Sequence, residues 1–161
     1  MRKLNKQPKT HRGHDAVILR HLAKAKESGK DSSGYKDMRE YEIAVEYATN
    51  NKYDKFEIGK DFTDVADVVI KNHLSYIAKS NRVYLSSLGM EHYERVCEFA
   101  KKHGRKLGDK AKDVAYNLIL RRFESAIECS RYISGTSDIY HLETGLAFAK
   151  KHKLEINGEA T

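Results

Sequence analysis

The chain has 161 residues and a mass of 18.5 kDa, and its 30 Lys and Arg exceed its 23 Asp and Glu, giving a formal charge of +7. This length suits one domain or a compact unit with appendages, and the 40% share of apolar residues excludes a disordered chain. There is no membrane-length apolar run, no secretory leader and only two Cys. We therefore expect a cytoplasmic protein with no membrane partner and no disulfide framework.

Residues 1–14 are predicted to form a flexible basic arm. The first 13 residues contain no acid, and Pro8 and Gly13 interrupt any helical pattern. Such an arm can bind phosphate, but a plain solvated terminus explains the same composition. Its five bases are Arg2, Lys3, Lys6, Lys9 and Arg12.

Two helices are predicted on either side of a linker rich in Ser and Gly. The first begins at Asp15, which can be its cap or an acid of its first turn, and Ile18, Leu22 and Ala25 recur at helical spacing. It fades at Ser28, so residues 15–34 comprise this helix and the linker. The second begins near Lys36 and ends at Asn50. Its apolar residues recur at helical spacing: Met38, Tyr41, Ala44, Val45 and Ala48.

A short extended piece and a third helix follow. In residues 52–62, Phe56 and Ile58 alternate with Glu57 and Gly59, which fits either a short strand or an extended loop. The third helix is predicted from Thr63 or Asp64 to Lys79. Its predicted inner face is Val65, Ala66, Val69, His73, Leu74 and Ile77, and its outer face carries Lys71, Asn72, Ser75 and Lys79.

Three more helices complete the predicted fold. The fourth ends at His103 and Gly104, and the fifth runs from about Asp109 to Ile133. The fifth is expected to have a broad apolar face of Ala111, Ala115, Leu118, Ile119, Phe123, Ala126 and Ile127. The sixth runs from Asp138 to about His152 and is expected to bury Ile139, Leu142, Leu146 and Ala149. The fold class is therefore mainly α, with about six helices, room for a short β-hairpin, and a C-terminal helical hairpin at residues 105–156.

The segment at residues 36–100 resembles a winged-helix domain, a form of helix-turn-helix. The motif lies in His73–Glu94: Leu74 and Ile77 match core positions of a recognition helix, Val83–Leu85 match a short strand, and Leu85–Gly89 match the following turn. The predicted winged-helix-like domain spans residues 35–104.

The resemblance implies that the helix around residues 65–79 reads duplex DNA in the major groove. Asn72 would contact adenine, and Lys71 would contact phosphate or guanine. Phosphate contacts would come from Ser75, Tyr76 and Lys79, and Arg82 would lie in the wing. Each of these is an ordinary surface residue if the resemblance fails.

The densest cationic run lies between the fourth and fifth helices. Residues 101–112 contain six bases and one acid, Asp109. The bases are Lys101, Lys102, Arg105, Lys106, Lys110 and Lys112. They can hold a phosphate backbone or simply solvate a helix junction; the first is slightly favoured.

No catalytic, cofactor or metal motif is recognisable. His11, His14 and Asp15 lie at the predicted flexible arm, and no further Cys or His lies at ligand spacing, so no metal site is expected. Cys97 and Cys129 read as small core residues, and the chain has no phosphate loop and no nucleophile elbow. The sequence thus predicts a non-enzymatic protein that binds duplex DNA as a homodimer and acts as a transcriptional regulator or as a DNA-packaging or replication accessory. The alternative is a protein-binding inhibitor or adaptor of a nucleic-acid-processing enzyme.

Overall fold

The computed structural model describes residues 12–28, 35–51, 55–79, 86–132 and 137–156, and within these ranges it contains helices and no strand. The helices are α1 (Arg12–Ser28), α2 (Lys36–Asn50), α3 (Lys55–Lys79), α4 (Ser86–Lys102), α5 (Asp109–Tyr132) and α6 (Ser137–Lys151). The predicted mainly α class is confirmed, and the short β-hairpin is not supported. None of these helices is both long and apolar enough to cross a membrane.

The chain divides into two compact units, Met1–Val69 and Ile70–Thr161, and the division falls within α3. In the first unit α1 packs on α2, and in the second α4 and α6 both pack on α5. The domain boundaries predicted from the sequence at residues 34 and 104 stay predictions.

The core of the first unit follows the predicted apolar stripes. Ile18, Leu22 and Ala25 of α1 are buried, as are Met38, Tyr41, Ala44 and Ala48 of α2. His21 Nδ1 donates to Glu40 Oε2 at 2.6 Å and ties the two helices together beside this core.

Helix α3 begins earlier than its sequence predicts. Residues 55–62 were expected to be extended or looped, yet they are helical. Tertiary packing explains the early start, because Phe62 lies one turn before Val65 and packs edge-on against Tyr41, with ring centroids 5.9 Å apart. The two-residue alternation at 56–59 was too short to indicate a strand.

The second unit is built on the inner face of α5. Ala111, Ala115, Leu118 and Ile119 are buried as predicted, but Ile127 is 54% exposed. The predicted inner face of α6 is largely wrong, because Ile139, Leu142 and Leu146 are all exposed. Ala149 is buried as predicted, and α6 also buries Gly145 and Phe148, since the small Gly145 allows the helix to approach Phe123 of α5 closely.

Helices α4 and α6 end in the same five residues, Phe-Ala-Lys-Lys-His, and in the same backbone motif. After α4, the Arg105 amide donates to the Ala100 carbonyl at 2.7 Å, and Gly104 has φ of 64°. After α6, the Leu154 amide donates to the Ala149 carbonyl at 2.9 Å, and Lys153 has φ of 53°. Both are Schellman caps, which satisfy the last carbonyls of a helix. The prediction that these segments are helix ends is confirmed.

Candidate nucleic-acid interface

The second half of α3 presents the polar face that the sequence predicts. Lys71, Tyr76 and Lys79 are exposed, while Asn72 and Ser75 are half-buried. On the opposite face His73, Leu74 and Ile77 are buried. The outer side chains are therefore available to a partner, and the inner ones hold the helix on the second unit.

A contact at Ser75 joins this face to the start of α5. The Ser75 hydroxyl donates to the Lys71 carbonyl at 2.7 Å, which fixes the hydroxyl against its own helix. Its oxygen also accepts from Lys110 Nζ at 3.1 Å. This hydrogen bond joins α3 residues that were predicted to contact DNA to the cationic run at 101–112, although the two segments are separate in sequence.

A second contact extends the surface along α5. Arg121 Nη2 donates to the Ala78 carbonyl, one residue before the end of α3, at 3.2 Å. Lys110 and Arg121 are 11 residues apart, or about three helical turns, so they share one side of α5. We call the surface formed by Lys71, Ser75, Lys79, Lys110 and Arg121 the α3–α5 surface.

The α3–α5 surface has a positive charge balance. Its four bases face outward or lie at its border, and residues 70–79 contain no acid. The acids within three residues of its bases are Asp109, Asp113 and Glu124, all exposed on α5, and Asp109 Oδ1 lies 4.0 Å from Lys112 Nζ. Because exposed pairs at this distance are weak, these acids reduce the field of the surface without cancelling it.

The remaining bases of the cationic run surround the Schellman cap after α4. Lys101, Lys102 and Lys106 are exposed and Arg105 is half-buried. Positive side chains here also interact favourably with the C-terminal end of the helix dipole. Their position is accounted for by the cap alone, so their contact with phosphate stays a prediction.

The other predicted contacts cannot be placed on this surface. Arg82 and the arm residues Arg2, Lys3, Lys6 and Lys9 lie outside the described residues. Arg12, which was assigned to the arm, is the first residue of α1. The helix thus begins three residues before Asp15, which is an acid of its first turn and not its cap.

A buried histidine pair lies on the inner side of α3, which sequence reasoning missed. His73 Nδ1 and His92 Nε2 share a hydrogen bond of 2.6 Å, and the two residues are 0% and 7% exposed. The exposed Tyr76 ring lies 5.5 Å from the His92 ring. The sequence placed His73 on the core face, but no local pattern links it to a residue 19 positions away.

The described residues contain no group of metal-ligating side chains: no three His, Cys, Asp or Glu lie together as a metal would need. Cys97 is half-buried, and burial raises the pKa of its thiol, which disfavours the reactive thiolate. The packing role expected for Cys97 stays a prediction.

Comparison of the chain with protein-family models, with curated proteins and with solved structures gave no match.

Proposed function

We propose that this protein is a non-enzymatic, cytoplasmic DNA-binding protein that holds duplex DNA on its α3–α5 surface. The observation that carries the proposal is the Lys110–Ser75 hydrogen bond, because it makes one basic surface from two elements that the sequence indicated independently. A surface of cations and hydroxyls is what a phosphate backbone requires.

The outer face of α3 is the part of the surface that we propose contacts the DNA bases. Its exposed side chains occupy the last three turns of a 25-residue helix, and an α-helix fits the major groove. Asn72 would read adenine through its amide, and Lys71 would contact guanine or phosphate. The winged-helix resemblance supports this assignment, although α3 runs unbroken from Lys55 to Lys79 where that family has two helices and a turn.

Salt dependence tests the binding itself. If the four bases of the α3–α5 surface each neutralise one phosphate, log affinity should fall with log salt at a slope of about −3.6. Between 50 and 200 mM salt this corresponds to a loss of about 150-fold. The measurement is fluorescence anisotropy of a labelled random duplex with the full chain, and absence of binding at about 50 mM salt would refute the proposal.

A pair of charge-matched variants locates the surface. Lys110→Ala should reduce the salt slope by about 0.9 because one phosphate contact is lost. Lys150→Ala removes the same charge from the exposed end of α6 and should leave the slope unchanged. Equal effects of the two variants would show that only net charge matters and that the α3–α5 surface is misplaced.

Base reading and assembly need separate measurements. After selection of a preferred duplex from a random pool, Asn72→Ala should weaken binding to that duplex more than binding to a random one, and equal losses would exclude groove reading by α3.

The proposal includes a homodimer, since two-fold pairs are the commonest arrangement of such readers. Light scattering should then give twice the chain mass of 18.5 kDa.

The second candidate is a protein-binding inhibitor or adaptor of a nucleic-acid-processing enzyme. One observation favours it: the exposed residues Ile139, Leu142 and Leu146 form an apolar stripe along α6, and such stripes are common on protein-binding surfaces. Loss of binding to DNA at low salt would favour this candidate over the first.

A further inference from the structure

A groove in the second unit contains an arginine whose hydrogen-bonding capacity is only partly used. The groove has a volume of about 370 Å³, and residues of α4, α5 and α6 line it, within the size range of small-molecule pockets. Its apolar wall includes Met90, Ala147 and Phe148. Arg122 of α5 lies in the same lining and is only 2% exposed.

Only one of the three guanidinium nitrogens of Arg122 makes a hydrogen bond to a described residue. Its Nη1 donates to His141 Nδ1 at 2.7 Å. Its Nε and Nη2 are buried and have no hydrogen-bond partner among the described residues. These two N–H groups point in the same direction and form the side-on fork with which arginine grips two oxygens of one anion.

The fold keeps the guanidinium in this position at a cost. At Gly145 of α6 an added Cβ would lie 3.3 Å from Arg122 Cβ and 3.0 Å from Phe123 Cε1, so close approach of α6 over Arg122 depends on this glycine. A buried charge without a partner is strongly unfavourable. Burial also lowers the pKa of Arg122. An oxyanion on the free fork would remove this cost.

The charges around the groove select the kind of anion. Lys151 Nζ pairs with Glu94 Oε1 at 2.7 Å, so these two charges balance each other. Glu91 adds a further carboxylate to the lining. Glu91 would repel a dianion such as phosphate more strongly than a monoanion, and a monoanion with an apolar body matches one free fork beside an apolar wall.

We propose that this groove binds a small organic monocarboxylate, with Arg122 Nε and Nη2 holding the carboxylate and the apolar wall holding its body. The site is independent of the proposed DNA-binding surface. Because both fork nitrogens are buried, entry requires side chains of the groove lining to change rotamer. Glu91 and Tyr140 belong to that lining and are exposed, and rotamer changes of exposed side chains are fast.

The test uses sodium benzoate as the probe and the full-length chain. At constant ionic strength, a titration followed by ¹⁵N–¹H NMR should give saturable shifts at the amides of Thr144 and Ala147, with Kd on the order of 1 mM for so small a ligand. Inorganic phosphate should bind at least about tenfold more weakly. Phosphate binding as tight as benzoate binding, or no saturation by benzoate, would overturn the proposal.

Three variants identify the group responsible. Arg122→Met and Arg122→Lys should each weaken benzoate by roughly tenfold or more, because neither retains the fork, while Arg131→Met on the same helix should bind as the native chain does. Arg122→Met should remain folded, since it replaces an unpaired buried charge by an apolar group. Native-like binding by Arg122→Lys, or by Arg122→Met, would overturn the proposal.

A final variant tests whether the chain itself fills the fork. Glu91→Gln removes the unpaired acid of the groove and should bind benzoate at least as tightly as the native protein. If only Glu91→Gln binds benzoate and the native chain does not, then Glu91 occupies Arg122 in solution and the proposed ligand site is wrong.

Discussion

The two identical helix ends provide a matched experiment on backbone strain. Gly104 and Lys153 occupy the same left-handed position in Schellman caps after Phe-Ala-Lys-Lys-His, with φ of 64° and 53°. Glycine adopts this conformation without penalty, whereas a residue with a Cβ does not. The cap after α6 should therefore be the less stable of the two.

The size of the effect follows from two opposing contributions. A non-glycine residue in the left-handed region costs roughly 1–2 kcal/mol, and glycine loses about 0.5–1 kcal/mol more backbone entropy on folding. A Cβ at Gly104 would meet no atom within 4 Å, so no clash adds to the cost. Gly104→Ala should then destabilise the second unit by about 1 kcal/mol.

At residue 153 the comparison must separate backbone strain from charge. Lys153→Ala and Lys153→Gly both remove a cation near the end of α6, but only Lys153→Gly removes the Cβ. Lys153→Gly should therefore be about 1 kcal/mol more stable than Lys153→Ala, which raises the melting temperature by about 2–4 °C. Urea unfolding followed by circular dichroism measures all three variants against the native chain. If Lys153→Gly and Lys153→Ala are equally stable, backbone strain at residue 153 is not the cause and the reasoning fails.

Two further predictions concern packing and pH. A Cβ on Gly89 would lie 2.8 Å from Leu118 Cδ2, so Gly89→Ala should destabilise by about 1–3 kcal/mol. It should become neutral or stabilising in a Leu118→Ala background; an unchanged penalty in the double-mutant cycle would show that the clash is not the cause. Burial lowers the pKa of His141 and His152, and the Arg122 charge lowers that of His141 further. Because the unfolded chain then binds the proton more readily, stability should be fully present above pH 6.5 and fall as the pH drops below it. Chemical unfolding at several pH values should show a shallower fall for His152→Gln, and an unchanged slope would count against this account.

Much of the fold could be predicted because periodicity and caps are local signals. The stripes of α2 and of the second half of α3 were predicted correctly, as were the ends of α4 at Gly104 and of α5 near residue 132. The inner face of α6 was not, because Ile139, Leu142 and Leu146 have stronger periodicity than the glycine that governs its packing. Close approach at Gly145 depends on what faces it on α5, and a single sequence does not contain that information.

The candidate sites likewise contain features that local sequence predicts and features that depend on helix packing. The polar face of α3 follows from helical spacing, so its residues could be identified in advance. Their meeting with Lys110, and the unsatisfied fork of Arg122, arise from side chains 35 and 19 residues from their partners. No local pattern marks these pairs, because they depend on how the helices of the second unit pack.

The buried pair of His73 and His92 has a property that only its geometry reveals. A hydrogen bond between His73 Nδ1 and His92 Nε2 requires one N–H and one lone pair. When both rings are neutral, donation by His73 leaves both protons on Nδ1, and donation by His92 leaves both on Nε2. The two tautomers are thus locked together. A change in hydrogen bonding at the far nitrogen of one ring would therefore reverse the hydrogen bond between the rings and switch the tautomer of the other ring.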